Sequence, residues 1–254
     1  MKTLYPLATL LAAASSPVSA HWVYSQLIVN GTFAGEPYQY IRPPQNGNNF
    51  LSDVNSTDMR CNVGGSSGLT NNTETLAVRA GDALGFGIGS TFGHPGIQQV
   101  YLSRAPDLPP SSSNSSASAA ALYDGSGGWA RIYSLTTTPT LPNGTGTADG
   151  KNSFAEAQPG AVDWATHKRG GAQFYVACAQ IRVEEGGTAD SRSRGGSNDS
   201  GTALGPLVSI PGVYRGDEPG VLIPQFWSGL PRYTTPGPAL WPPGTREAHV
   251  AEHL

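Results

Sequence analysis

Long apolar runs are scarce in this chain. The stretch 4–14 falls short of the ~20 apolar residues that a membrane helix requires, and nothing after it comes closer. Charge is scarce too: Asp, Glu, Lys and Arg make up 13% of the residues and the formal net charge is −3, so neither nucleic acid nor an anionic membrane is an expected partner. No stretch after residue 20 keeps a helical period for three turns, which argues against an α-class fold. Cysteine occurs only at Cys61 and Cys178. In an oxidising compartment such a sparse, even pair reads as one disulfide closing a long loop, with two buried free thiols as the alternative.

What is present begins with a leader. Met1-Lys2-Thr3, the apolar stretch and the small-residue end Val18-Ser19-Ala20 have the form of a secretory signal peptide over 1–20, cleaved after Ala20. The expected product is secreted, extracellular and monomeric. Its 234 residues (254 less 20) suffice for one β domain over 21–241 with a real core. A short tail over 242–254 follows, without a carbohydrate-binding module. Sequons at Asn30, Asn55, Asn71, Asn114, Asn143 and Asn198 accord with secretion, and those from Asn55 onward are the glycosylation candidates.

Segments rich in β-branched and aromatic residues, 23–29, 75–78, 98–102, 130–135 and 173–183, alternate with Gly, Pro, Ser and Asn clusters. Glycine (33) and proline (21) are abundant. This rhythm predicts an all-β immunoglobulin or fibronectin-like sandwich with long surface loops, the longest over 106–128 and 184–206.

Cleavage after Ala20 would give His21 a free α-amino group and an imidazole on one residue, two nitrogens able to chelate one metal ion. Amino and imidazole nitrogens in a tetragonal arrangement suit Cu(II), with nickel and zinc behind it. His94, in the turn-rich entry Gly93-His94-Pro95-Gly96 to a strand, is the candidate for the next ligand, or else an ordinary loop histidine. In the alternating run Gln173-Phe174-Tyr175-Val176-Ala177-Cys178, Gln173 and Tyr175 face one side and Phe174, Val176 and Cys178 the other. The phenol and amide are either a buried hydrogen-bonded pair or an axial oxygen with a supporting donor beside a metal.

His21-Trp22-Val23, Val29-Asn30-Gly31, His94-Pro95-Gly96 before Val100-Tyr101-Leu102-Ser103, and Gly171-Ala172-Gln173-Phe174-Tyr175 before Cys178-Ala179-Gln180-Ile181 occur in this order. Ser209-Ile210-Pro211-Gly212-Val213-Tyr214 and Tyr233-Thr234-Thr235-Pro236 follow. Together they resemble the fungal lytic polysaccharide monooxygenases of auxiliary activity family nine, formerly glycoside hydrolase family sixty-one, over 21 to about 238. The resemblance implies a catalytic domain with one copper held by His21 and His94, Tyr175 near the axial position and Gln173 as a supporting hydrogen-bond donor. It matches Cys61 and Cys178 to a recurrent disulfide. It implies oxidative cleavage of cellulose or a related β-1,4-glucan at C1 and/or C4, with O2 or H2O2 as co-substrate and a small reductant or redox protein as external electron donor. Tyr214, with Tyr38 and Tyr233, is a candidate for stacking on sugar rings.

The interval 152–167 departs from the family pattern. A strand ending in a histidine is expected there and is not recognisable, which would leave an exposed sheet edge and a smaller core. His167 is the residue that could stand for that histidine, or it is a solvated loop histidine. A hydrolase would need two opposed carboxylates, and none is tied to the histidines. A non-catalytic copper- or glycan-binding sandwich, impaired by the missing strand, is the competing reading.

Overall fold

The structure is a computed structural model that describes residues 21–67, 73–88, 94, 96–106, 123–138, 153–154, 167–184, 203–224 and 233–249. The leader 1–20, the sequons Asn71, Asn114, Asn143 and Asn198, and residues 155–166 lie outside the described residues.

Among the described residues nine strands carry the fold. They are β1 (Tyr24–Val29), β2 (Thr32–Ala34), β3 (Leu76–Arg79), β4 (Leu84–Ile88), β5 (Gln98–Ser103), β6 (Trp129–Leu135), β7 (Thr137–Thr138), β8 (Ser153–Phe154) and β9 (Ile181–Glu184). Among the described residues the one helical piece is a 3-10 turn, Thr57–Met59, whose Asp58 N–H is capped by the Ser56 hydroxyl. None of the described helices is long and apolar enough to cross a membrane.

β1 lies between β2 and β4 in an antiparallel sheet, β5 pairs antiparallel with β6, β3 runs parallel to β9, and β7 pairs with β8. The β1–β2 connection is a two-residue loop in which Asn30 and Gly31 both take positive φ, 50° and 79°, the type I′ pattern that matches strand twist. Asn30 is also engaged at both ends of its carboxamide, donating to Asp82 at 2.9 Å and accepting from the Ala83 N–H at 2.9 Å. Those bonds tie the hairpin to the turn before β4.

The segments read as strands around 23–29, 75–78, 98–102 and 130–135 became β1, β3, β5 and β6. Two further strands, β2 and β4, carry too few β-forming residues to stand out. β4 reads Leu-Gly-Phe-Gly-Ile, and Gly87 is required because a Cβ there would collide with the Phe33 ring on β2. The segment 173–183 is corrected: only Ile181–Glu184 pairs as a strand, while 173–180 is extended chain held by single bridges, Leu51 to Phe174 and Ile41 to Ala179. Its alternation survives without a ladder, because Phe174 and Val176 still pack against buried Leu51, Met59 and Ile210.

Cys61 and Cys178 form a disulfide across 117 residues. The C-terminal segment is docked as far as His249. The Ala248 N–H donates to Ser134 O at 2.8 Å and Ala248 O accepts from the Thr136 N–H at 3.0 Å, while the Glu247 carboxylate accepts from the Thr235 hydroxyl and lies 3.7 Å from Arg131.

Three tyrosines sit in this interior. Burial raises the Tyr101, Tyr214 and Tyr233 phenols above their ordinary value, Tyr214 further because of neighbouring Tyr101. A phenol whose folded pKa is raised contributes stability that is complete below about pH 10, the unfolded value, and is lost as pH climbs above it. The melting temperature is therefore expected to hold to about pH 9.5 and to fall steeply above about pH 10. Ultraviolet difference spectroscopy checks this: native protein whose tyrosines all ionise near the free value would contradict it.

Candidate functional site

The site lies where the chain leaves its first described residue and enters β1. His21 precedes β1 by three residues, and its carbonyl accepts a long bond, 3.4 Å, from the Asn48 side chain on the loop 45–50. That loop is braced internally: Asn46 Nδ2 donates to Asn49 O at 3.1 Å and Asn49 Nδ2 to Asn46 O at 2.9 Å. It ends in a reciprocal backbone pair, Leu51 N–H to Phe174 O at 2.9 Å and Phe174 N–H to Leu51 O at 2.8 Å. Leu51 and Phe174 turn into the core. In extended chain their neighbours Phe50 and Tyr175 turn to the opposite side, toward His21.

Five rings meet there. His21 lies 5.8 Å from His94, 5.9 Å from Tyr175 and 5.4 Å from Phe50, centre to centre, the last contact edge-on at 72°. Trp22, 6% exposed, stacks on Tyr175 at 3.8 Å and 18°. His94 is 6.3 Å from both Tyr175 and Trp22. The Tyr175 hydroxyl donates to Gln173 Oε1 at 2.7 Å, so alternation alone set the right pair on one face.

The structure thus brings His21, His94, Tyr175 and Gln173 together. His167 opens the turn before Gly171, with its Nδ1 buried. Tyr214 is partly buried: its ring packs against the Leu51, Met59 and Ile210 cluster, and its hydroxyl bonds Tyr101 at 2.9 Å and Gln99. Tyr233 packs on Ile223 and donates to Gly220 O at 3.1 Å. Asn55 is exposed. Sequence reasoning assigned no part to Trp22 or Phe50; the one available signal was their aromatic character beside a ligand candidate and a turn.

The donor set fits a single metal ion. Two imidazoles sharing one ion at ~2.0–2.1 Å per nitrogen have ring centres at most about 6.4 Å apart, and 5.8 Å lies inside that limit. Both ring nitrogens of His94 are buried. Among the described residues no group of three or more His, Cys, Asp or Glu could hold a metal.

The chain is similar to known proteins. The model of Auxiliary Activity family 9 (formerly GH61) matches residues 21–153 and 161–233. The match begins at His21, and the residues it skips fall within the interval 152–167. The chain is 35% identical to AA9 family lytic polysaccharide monooxygenase E of Podospora anserina, over 96% of this chain and 76% of that one. It is 33% identical to monooxygenase C of Emericella nidulans, over 91% and 95%. Among solved structures it is similar to HiLPMO9B (TM-score 0.56, 22% identity, covering 87% of this chain and 99% of that one). It is also similar to the extended catalytic domain of H. jecorina LPMO9A (TM-score 0.56, 18% identity, 91% and 97%). These likenesses give the β-sandwich architecture. The chain therefore belongs to Auxiliary Activity family 9, a family of copper-dependent oxidoreductases.

Proposed function

We propose that this protein is a secreted, single-domain lytic polysaccharide monooxygenase that cleaves cellulose or a related β-1,4-glucan at C1 and/or C4. It works with O2 or H2O2 as co-substrate and an external electron donor. The observation that carries the reading is the pairing of His21 with His94 at 5.8 Å beside a Tyr175 phenol bonded to Gln173. Removal of the leader 1–20 exposes the amino group of His21, which with its own imidazole and that of His94 would hold the ion. When bound, copper supplies one-electron redox chemistry toward the oxygen co-substrate.

The remaining work falls to the chain. The hydrogen bond from the Tyr175 hydroxyl to Gln173 Oε1 fixes the direction of the phenol, whose oxygen would be a weak donor to an ion held by His21 and His94. With its carbonyl occupied, the Gln173 amide retains its N–H groups for the co-substrate. Trp22 covers one face of the Tyr175 ring and keeps water from it. His167, from the turn before Gly171, is the candidate for a further donor. A polysaccharide would reach the site from the exposed loop side, where Gly47, Asn48 and Asn49 face solvent.

The test uses mature protein beginning at His21, loaded with copper and incubated with phosphoric-acid-swollen cellulose and a reductant. Mass spectrometry is expected to find aldonic acids or C4-ketone products, absent with His94→Ala. Copper bound by the wild-type protein without any oxidised sugar would overturn the catalytic reading in favour of a binding protein.

A further inference from the structure

We infer that Phe50 is a positioning residue for the His21 imidazole, held in register by the Leu51–Phe174 backbone pair. The inference rests on the reading of His21 as a metal ligand. A terminal residue is tethered by one peptide bond only, so the direction of its ring must be fixed by contacts. Phe50 meets that ring edge-on at 5.4 Å and 72°, and lies 6.5 Å from Tyr175. This is the edge-to-face arrangement in which aromatic pairs attract.

What makes the contact more than a chance neighbour is how both rings are placed. The two bonds between Leu51 and Phe174 lock residues 50 and 175 against each other, with the core-facing side chains of Leu51 and Phe174 as the anchor. Upstream, the Gln45 N–H donates to Val63 O at 2.9 Å, and the two Asn46–Asn49 side-chain bonds stiffen the loop. One frame therefore delivers both Phe50 and Tyr175 to His21. A ligand ring held by that frame is oriented before the ion arrives, and preorganisation of this kind strengthens binding.

The experiment compares mature wild-type protein with Phe50→Leu, Phe50→Tyr and His94→Ala, measuring copper affinity by competition titration and the Cu(II) electron paramagnetic resonance spectrum. Phe50→Leu is expected to weaken copper binding about 2- to 10-fold, the range of one aromatic edge contact, and to shift or broaden the spectrum. Phe50→Tyr keeps the ring and is expected to restore both. Leucine retains apolar bulk, so the fold should persist; should Phe50→Leu not fold, a Phe50→Tyr spectrum differing from wild type would itself contradict the inference. Wild-type affinity and spectrum in Phe50→Leu, while His94→Ala loses copper, would overturn the inference and leave the site reading standing. Copper binding undiminished in His94→Ala would overturn the site reading, and this inference with it.

Discussion

Replacing both Cys61 and Cys178 by serine is expected to destabilise the protein by about 2–5 kcal/mol, the usual range for a native disulfide. The two cysteines are 117 residues apart. In the chain-entropy model a loop of that length restricts the unfolded chain by about 4–5 kcal/mol at 25 °C, so the upper half of the range is expected. The bond also ties the irregular 173–180 segment, which has few ladder bonds of its own, to the loop after the 3-10 turn. At roughly 2–4 °C per kcal/mol for a domain of this size, the melting temperature should drop by about 5–20 °C. Calorimetry of the double variant checks this, and a drop smaller than about 3 °C would mean that packing alone holds the segment.

Arg42→Met is expected to cost a similar amount, about 3–5 kcal/mol, for a different reason. Arg42 is 3% exposed and lies against the disulfide. Its guanidinium donates to Gln180 Oε1 at 3.0 Å, Gly65 O at 2.8 Å and Tyr123 O at 2.7 Å, joining three separate stretches of chain. Burial pulls its pKa down, and the charge of Asp124 opposes that shift. A methionine fills similar volume, yet it leaves three acceptors without their donor, each costing about 1–3 kcal/mol, partly offset because a buried charge is removed. Arg42→Lys should recover only part of the loss, since one ammonium cannot span the three acceptors. Urea unfolding of the two variants measures the difference; a Met variant within about 1 kcal/mol of wild type would show that the network is replaceable.

Much of the site was legible because its chemistry is local. His21 follows the small-residue run Val18-Ser19-Ala20, His94 lies in a Gly-His-Pro-Gly stretch, and Gln173 and Tyr175 are two positions apart, so each could be singled out from residue type and spacing. Alternation predicted which side of 173–178 faces the core even though no regular strand forms there, because side-chain direction follows extended backbone whether or not a ladder exists. Phe50 and Trp22 were not legible in the same way. Their roles depend on a backbone pair between residues 51 and 174 and on a ring stack between 22 and 175, contacts that no local periodicity encodes. The hydrogen bonds of Tyr214 to Tyr101 and Gln99 on β5 span more than a hundred residues and were equally outside the reach of local pattern. β4 was hidden because its two glycines, of which Gly87 lies under the Phe33 ring, lower the strand signal.

The interval 152–167 is where family resemblance and structure meet least. The family match breaks within it, and β8 contributes two residues paired with β7. His21, Phe50, His94, Gln173 and Tyr175 lie outside the interval, on β1's approach, the 45–50 loop, the approach to β5 and the 173–175 segment, while His167 stands at its end. Whatever the shortened interval does to the sheet, the His21, His94 and Tyr175 group is assembled by other parts of the chain.

The account stands most directly on the claim that the amino terminus at His21 and the His94 ring hold one copper ion together. Calorimetric titration with Cu(II) should be run on three proteins: the chain beginning at His21, the same chain with one extra residue before His21, and His94→Ala. One tight site per chain is expected in the first, with nitrogen couplings in its paramagnetic spectrum, and affinity should fall at least tenfold in each of the other two. Equal affinity in all three would contradict the account.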